Sequence, residues 1–468
     1  MTLTRESATR LLADLAAHRL SAAELMEATL ARIDAVNPAV NAIVALRDRD
    51  DLMAEARAAD QAPRRGPLHG LPIAVKDLVD VAGIVSSHGS PNLANFVPKA
   101  DDILAARLRA AGAILIGKTN VPEFGLGSHT FNPVYGATVN PYDTSLSCGG
   151  SSGGAAVALA TGMTALADGS DMMGSLRNPA AWNNVYGYRP SWGLVPSEPR
   201  GDTFLHQLAT LGPMARSPED IAVLLDVIAG PDPRQPHGVP HQPIAPLEPA
   251  TLKGLRIGWL GDWGGAYAME AGILDLCDGA VKVFEELGAH VEELTPPFSS
   301  AALWDSWITL RSWQVGMGLA PLMEQPAQRA KLKDSAIWET ERGLAMSAAE
   351  VHRASVTRSE WFRKAAALFE DYDALILPTA QAWPFDVDQP WPAAIAGRPM
   401  DTYHRWMEVV IPISLIGLPA LAVPGGFGAQ GLPMGIQIFG RRGADRQMLA
   451  IGAAYHAATQ WPQKRPAM

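Results

Sequence analysis

The chain has 468 residues, a formal net charge of −10, 48% hydrophobic residues and 18% charged residues. This balance is typical of a globular protein and excludes a largely disordered one, while the acidic total argues against a broad nucleic-acid-binding face, which needs clustered lysine and arginine. Only Cys148 and Cys277 are present, too few for a disulfide framework or a cysteine-ligated zinc site, so a reducing compartment is expected.

The first 60 residues predict a layer of helices. Leu11, Leu12 and Leu15 recur at helical spacing, and SAAE at 21–24 is a capping-box signal for a second helix. The opening MTLTRESATRLLADL has no apolar run typical of a secretory signal, and no apolar stretch reaches the approximately 20 residues that cross a bilayer. We therefore expect a cytoplasmic protein with no membrane or nucleic-acid partner.

From about residue 70, short apolar runs alternate with helical stretches. LPIAV (71–75) and AILIG (113–117) are typical of strands, and ILAARLRAAG (103–112) is typical of a helix, which predicts an α/β sheet. The pattern resumes with GLRIGWLGD (254–262) and a helix around 270–287. Three late apolar runs would complete the sheet: 372–379, 417–427 and 431–440. The turn-rich segment 231–251 is interpreted as a surface connection, so residues 1–468 are treated as one domain.

The segment 300–365 is helical in pattern and rich in methionine and tryptophan. Its tryptophans are Trp304, Trp307, Trp313, Trp338 and Trp361. Aromatic stripes at helical spacing usually belong to a core, and the alternative is a wall of a substrate pocket. We keep Trp304 and Trp307 as tentative pocket residues.

The stretch CGGSSGG (148–154) raises the question of which serine is reactive. It matches the G-x-S-x-G pattern of a nucleophile elbow, which would select Ser152, but the preceding NPYDTSLSCG (140–149) is polar and turn-forming, where an elbow needs a buried strand. The Lys-Ser/Thr of a phosphate-binding loop is also absent. A third interpretation is a glycine-rich turn with no chemistry.

Lys76 favours a catalytic interpretation of this serine-rich stretch, because it stands at the end of the apolar strand in GLPIAVKD (70–77). Burial disfavours the charged ammonium, so a desolvated lysine has a lowered pKa and can act as a base. A serine needs such a base before it can attack, and a Ser–Lys pair supplies one without histidine.

These elements are similar to the amidase signature family of serine hydrolases. The matching segments are GLPIAVKD (70–77), GKTNVPEFG (117–125), NPYD (140–143), GGSSGG (149–154), GSDMMGSLRNPAAWNNVYGYRPSWG (169–193), GPMARSPEDIAVLLDVIAGPDP (212–233), GLPALAVP and GLPMGIQIFG. The resemblance implies one α/β domain with a central mixed, twisted sheet between helices. It also implies a triad of Ser175 as nucleophile, Ser151 as bridging serine after a cis peptide bond from Gly150, and Lys76 as base.

The same resemblance suggests supporting roles near Ser175. Backbone N–H groups of four consecutive residues would form the oxyanion hole: Met172, Met173, Gly174 and Ser175. Ser152 would support the loop. Asp171 and Arg177 flank the turn in the sequence, and we interpret them as an ion pair that holds it, the alternative being two charges on a solvated loop. Gly125 and Leu126 join the tentative substrate pocket.

Two positions depart from the family pattern. Met173 stands where glycine is usual, and Ser170 where threonine is common. A methionine at positive φ would be strained, whereas at negative φ its thioether would narrow the acyl pocket. We hypothesise an altered substrate preference.

The sequence thus predicts a hydrolase of amide carbon–nitrogen bonds, with esters or carbamates as further substrates and a hydrophobic or aromatic preference. The alternatives are an amidotransferase subunit that releases ammonia from glutamine for a partner, and a non-catalytic binding protein on the same fold. No cofactor is expected, and the single histidines His69, His88 and His129 do not form a metal motif. The oligomeric state stays open, with a homodimer as one option.

Overall fold

A computed structural model describes residues 3–468. Its helices in this range are α1 (Ala8–Ala16), α2 (Ala22–Val40), α3 (Arg49–Gln61), α4 (Ile103–Ala110), α5 (Gly153–Ala160), α6 (Arg177–Trp182), α7 (Pro218–Ile228), α8 (Ile273–Glu286), α9 (Ser300–Met323), α10 (Pro326–Arg329), α11 (Asp334–Leu344), α12 (Ala348–Asp371), α13 (Ile411–Ser414) and α14 (Asp445–Thr459). The strands in the same range are β1 (Ile43–Val44), β2 (Pro72–Lys76), β3 (Ile114–Thr119), β4 (Phe131–Asn132), β5 (Gly136–Ala137), β6 (Val139–Asn140), β7 (Asp143–Ser147), β8 (Leu166–Asp171), β9 (Tyr186–Arg189), β10 (Thr210–Ala215), β11 (Arg256–Trp259), β12 (His290–Glu293), β13 (Ala374–Pro378), β14 (Ala394–Ile395), β15 (Arg398–Pro399), β16 (Ala420–Phe427) and β17 (Pro433–Phe439).

The main sheet has eight strands in the order β12-β11-β13-β17-β16-β9-β10-β8. Strand β11 pairs parallel with β12 and β13, and the remaining pairs are antiparallel. Its central strands β13 and β17 are buried along their whole length, as expected where helices cover both faces. The predicted α/β class with a central mixed sheet is confirmed.

Two strands expected in that sheet lie elsewhere. Strands β2 and β3 pair in parallel, and β1 pairs antiparallel with β3, to form a separate three-stranded sheet. This small sheet packs beside β8 and is joined to it by the backbone N–H of Lys76, which donates to Asp168 Oδ1 at 2.9 Å. The carboxyl end of β2, where Lys76 lies, therefore adjoins β8, and the turn that carries Ser175 follows β8.

The N-terminal segment 1–60 contains the expected helices and one strand that the sequence did not predict. Helix α2 begins at the capping box of Ser21 and Glu24, as SAAE predicted. Strand β1, inside this segment, pairs with β3, so the layer is not purely helical. Across residues 3–468, no helix combines the length and the apolar character that a membrane crossing requires.

The tryptophan-rich segment 300–365 is helical, as predicted, and forms α9 to α11 and most of α12. Helix α9 packs against both α11 and α12, and the close approach of α9 to α11 is possible because Gly316 faces Gly343. A surface cavity of about 560 Å³ opens between α9 and α12, lined by polar residues such as Asp305, Glu350 and Arg353.

Candidate active site

Lys76, at the carboxyl end of β2, is buried among three serine hydroxyls. Its Nζ lies 2.8 Å from the Oγ atoms of both Ser151 and Ser152, and 2.9 Å from that of Ser170. Burial lowers the pKa of Lys76 to about 7, against the opposing charges of Asp168 and Asp171. Near neutral pH the amine is thus partly uncharged, with serine hydroxyls as its immediate partners.

The turn before α5 presents Ser151 to this amine. The Gly150–Ser151 peptide bond is cis. The flanking carbonyls are fixed by hydroxyls, because Ser128 Oγ donates to Gly150 O and Thr130 Oγ1 donates to Gly149 O. Gly153 and Gly154, which follow the two serines, permit close packing of the turn because they have no Cβ. A Cβ on Gly153 would lie 2.3 Å from Thr130 Oγ1, and one on Gly154 would lie 2.3 Å from a backbone nitrogen.

Ser175 lies in the turn between β8 and α6, next to the Ser151 turn. Its side chain is only 8% exposed, and its backbone carbonyl accepts a hydrogen bond of 3.2 Å from the N–H of Ser152. Within residues 3–468, no hydrogen bond joins Ser151 Oγ to Ser175 Oγ. The structure therefore brings the two serine turns into contact through their backbones and leaves the Ser175 hydroxyl without a partner in the described chain.

The turn that carries Ser175 is held by a buried carboxylate. Asp171 pairs with Arg177 at 2.9 Å and with Arg189 at 3.0 Å, and all three side chains are fully buried. Burial alone would raise the pKa of Asp171, but the two guanidinium groups hold it well below its usual range. The sequence predicted the partner Arg177 and missed Arg189, whose position in YGYRPSWG gave no pairing signal.

The same carboxylate changes the prediction for the oxyanion hole. The N–H of Gly174 donates to Asp171 Oδ1 at 2.9 Å, so this group is already occupied, contrary to the expectation. The N–H groups of Met172, Met173 and Ser175 have no acceptor within residues 3–468. Three of the four expected donors are therefore available to a substrate carbonyl.

Met173 does not occupy the strained conformation that the sequence left open. The positive φ of this turn falls on Gly174, at +78°, and Met173 has no positive φ. Its side chain is 3% exposed and belongs to the main hydrophobic core. Strain at Met173 is thus excluded, while narrowing of the acyl pocket stays a hypothesis.

The four tentative pocket residues separate into two groups. Gly125 adjoins the site, because a Cβ there would lie 3.5 Å from Ser151 Oγ, and Leu126 belongs to a separate apolar cluster beside it. Trp304 and Trp307 are 5% and 0% exposed, lie in the main core and pack edge-on against His404. Their burial favours the core interpretation of the tryptophan stripe, and their place in the substrate pocket stays a prediction.

One link from the helical segment to the site was not predicted. Arg311 of α9 forms a buried ion pair with Glu339 of α11 at 2.8 Å, and its Nη1 lies 3.1 Å from Met172 Sδ. Tyr403 hydroxyl contacts both charged groups. No sequence motif connects residues so far apart in the chain, so only the structure reveals this contact.

Comparisons with known proteins identify the family. The family model described as Amidase matches residues 24–449. An acylamidase of Rhodococcus erythropolis is 34% identical over 471 residues, covering 98% of this chain and 97% of that protein. A glutamyl-tRNA(Gln) amidotransferase subunit of Chloroflexus aggregans is 35% identical over 482 residues, covering 97% of this chain and 96% of that protein. The crystal structure of a bacterial aryl acylamidase of the amidase signature family superposes with a TM-score of 0.91 at 28% identity, covering 98% of this chain and 99% of that one. The chain therefore belongs to the amidase signature family and is a hydrolase that acts on amide carbon–nitrogen bonds.

Proposed function

We propose that this chain hydrolyses amides through an acyl-enzyme on Ser175, with Lys76 as the base and Ser151 as the proton relay. The observation that carries the proposal is the buried Lys76 amine, 2.8 Å from Ser151 Oγ, in a turn bonded to the Ser175 backbone. An amine with a pKa of about 7 is mostly uncharged above neutral pH and can accept a proton.

The reaction begins when Lys76 Nζ accepts the Ser151 hydroxyl proton while Ser151 Oγ accepts the proton of Ser175. Ser175 Oγ then bonds to the carbonyl carbon of the substrate. Collapse of the tetrahedral intermediate breaks the carbon–nitrogen bond, and the relay returns the proton from Lys76 through Ser151 to the leaving nitrogen. In the second half of the reaction, water gives up a proton through the same relay and attacks the acyl-enzyme. This releases the carboxylic acid and restores Ser175.

The negative charge of the intermediate is met by backbone N–H groups. Those of Met172, Met173 and Ser175 are unoccupied within residues 3–468, while Asp171 fixes the turn through the N–H of Gly174. A preorganised donor of this kind typically contributes about 2.7–4 kcal/mol to catalysis, because it needs no reorientation as charge develops.

We infer an apolar or aromatic substrate, with ester and carbamate cleavage by the same acyl transfer. Support comes from Leu126, which follows Gly125 at the site and packs in an apolar cluster with residues of α9 and α11. Similarity to an aryl acylamidase and an acylamidase is consistent with this class. A substrate with a flat apolar group would bury it against this cluster, gaining roughly 25 cal/mol per Å² of apolar area.

The test is a hydrolysis screen over anilides, primary amides, aryl carbamates, aryl esters and short polyamide oligomers, with purified variants as controls. Ser175→Ala, Ser151→Ala and Lys76→Ala should each lower kcat by at least about a thousandfold. Ser152→Ala is the matched control, because it removes the other hydroxyl at 2.8 Å from Nζ and should cost about tenfold. An active profile that Ser175→Ala leaves unchanged would overturn the site assignment.

The two alternatives give different results in the same screen. An amidotransferase subunit should release ammonia from glutamine and copurify with partner subunits, while its anilide activity stays at background. A non-catalytic binding protein should fail to react with a fluorophosphonate probe. Labelling that is lost in Ser175→Ala, together with anilide turnover, supports the proposed function.

A further inference from the structure

Asp168 is a buried carboxylate bonded to the backbone of Lys76, and the mechanism above does not use it. It lies in β8, three residues before Asp171, and its side chain is fully buried. Oδ1 accepts the backbone N–H of Lys76 at 2.9 Å. Oδ2 is buried and has no hydrogen-bond partner within residues 3–468. A buried carboxylate oxygen without a partner is costly, so a compensating role is expected.

The other charged groups around Lys76 are already paired. Lys118, on the neighbouring strand β3, lies 3.7 Å from Asp77, which follows β2. Asp171, also on β8, is paired with Arg177 and Arg189, as described above. Ser151, Ser152 and Ser170 are neutral. Among the residues that the structure describes around Lys76, Asp168 is the carboxylate without an ion-pair partner.

Lys76 becomes an ammonium ion each time it accepts a proton, and this charge forms in a buried site. Isolated buried charges are strongly disfavoured, whereas an opposite charge nearby stabilises them. Asp168 is bonded to the backbone of this same residue and forms no direct ion pair with Nζ, but its negative charge still favours the ammonium form of Lys76.

We propose that Asp168 is a positioning residue that supplies the counter-charge for the protonated form of Lys76 during acyl transfer. The inference rests on the proposed function of Lys76 as base. No proton moves to Asp168: the proton passes from Ser175 Oγ to Ser151 Oγ and from Ser151 Oγ to Lys76 Nζ. The proposal takes Asp168 in its ionised form: burial raises the pKa of this carboxyl, and the backbone N–H of Lys76 and the charges of Lys118 and Lys76 oppose that rise. Its second task is to fix the end of β2 through Oδ1.

The direction of the pH effect follows from the signs of the charges. A negative Asp168 favours the ammonium form and therefore raises the pKa of Lys76, partly offsetting the lowering by burial. Activity requires neutral Lys76, so it is present above this pKa and is lost as pH falls through about 7. Removing the charge should lower the pKa of Lys76 and extend activity to lower pH.

The experiment uses Asp168→Asn, which keeps an oxygen for the Lys76 N–H and removes the charge. Two quantities are measured from about pH 5 to about pH 9, which is roughly two units on either side of neutrality. They are the rate at which a fluorophosphonate phosphonylates Ser175 and kcat/KM for an anilide. We expect the acid limb of both profiles to move by about one unit toward lower pH. The plateau value of kcat should fall, because a base of lower pKa is weaker, with little change in KM.

The matched control is Asp220→Asn. Asp220 is also fully buried and accepts two backbone N–H groups, from Ala8 and Thr9, but it lies on α7. This variant should leave the acid limb in place. Asp168→Ala serves as a second variant, because it removes the charge without burying an amide, and it should shift the limb in the same direction.

An unshifted limb in folded Asp168→Asn or Asp168→Ala would overturn the proposal, and so would a loss of folding in both variants, which would assign Asp168 to stability alone. Ser175→Ala and Lys76→Ala separate this failure from a failure of the proposed function. If they abolish phosphonylation while Asp168→Asn keeps the parent profile, only the role of Asp168 is wrong.

Discussion

Gly174 occupies a position in the Ser175 turn that a side chain cannot share. Its φ is +78°, and a Cβ there would lie 2.4 Å from Asn178 Oδ1. Relief of this clash would shift the turn and turn the neighbouring N–H groups of Met173 and Ser175 away from the substrate carbonyl. We predict that Gly174→Ala lowers kcat for an anilide by about a hundredfold, the value of one oxyanion donor, with a smaller change in KM.

Gly254 provides the matched control for this prediction. It also has a left-handed φ, +87°, but no atom lies within 4 Å of the position of its Cβ. Gly254→Ala should therefore cost about 1 kcal/mol of folding stability and leave kcat unchanged. Equal effects of the two variants on kcat would show that backbone strain, and not the clash in the Ser175 turn, governs the rate.

The residues of the candidate site that could be predicted from sequence share one property: they lie in short local motifs. Lys76, Ser151 and Ser175 each belong to a contiguous stretch with its own glycine or strand signal. Asp168 and Arg189 were missed because each is a charged residue within a strand, where sequence spacing does not identify the partner across the sheet. The hydrogen bond from the N–H of Gly174 to Asp171 could not be predicted either, because a sequence motif does not give the direction in which a backbone N–H points.

At the scale of elements, helices α9 and α11 contact the Ser175 turn through Arg311. Arg311 connects Glu339 to the thioether of Met172, whose N–H is an available donor. Removing Arg311 alone would leave the Glu339 carboxylate buried with only Tyr403 and His404 as polar neighbours, at a cost of about 3–5 kcal/mol. Replacing both charges by apolar side chains avoids this cost and isolates the contact to Met172.

We predict that the double variant Arg311→Met/Glu339→Leu folds with a Tm near that of the parent and has a kcat about tenfold lower. A well-packed apolar replacement of a buried ion pair is often neutral for stability, whereas Met172 loses the group that fixes its side chain. Met172→Leu is the companion variant, because it removes the thioether acceptor and keeps the bulk. Parent-like kcat in both would contradict a link between this helix pair and the turn.

The helical segment also shows where sequence reasoning stops. Its helices and their buried faces follow from apolar spacing, so the elements themselves could be predicted. The direction of Trp304 and Trp307 could not, because the guanidinium of Arg405 over Trp304 and the ring of His404 come from a part of the chain about 100 residues away. Likewise, the separation of β2 and β3 into their own sheet depends on pairing partners that a strand pattern does not specify.

At the scale of the whole molecule, one hydrophobic core extends from Ala8 in α1 to Tyr455 in α14. The N-terminal layer is attached to the rest through polar contacts as well. Asp220 of α7 accepts the first two N–H groups of α1, from Ala8 at 2.9 Å and Thr9 at 2.8 Å. Arg216 donates to the carbonyl of Glu6 at 2.6 Å. These contacts imply that the layer and the main sheet unfold together, in line with the single domain that we propose.

Asp220→Ala tests this cooperativity. It removes two hydrogen bonds to a charged acceptor, which together contribute about 3 kcal/mol. For a chain of this length the entropy of unfolding is about 1 kcal/mol per degree, so calorimetry should record one transition with a Tm about 3 °C lower. Asp14→Ala is the control, because it removes surface ion pairs from Asp14 of α1 to Arg10 and Arg19 and should leave Tm nearly unchanged. Two separated transitions in Asp220→Ala, with the upper one at the parent Tm, would mean that α1 to α3 unfold independently and that the chain is not one cooperative domain.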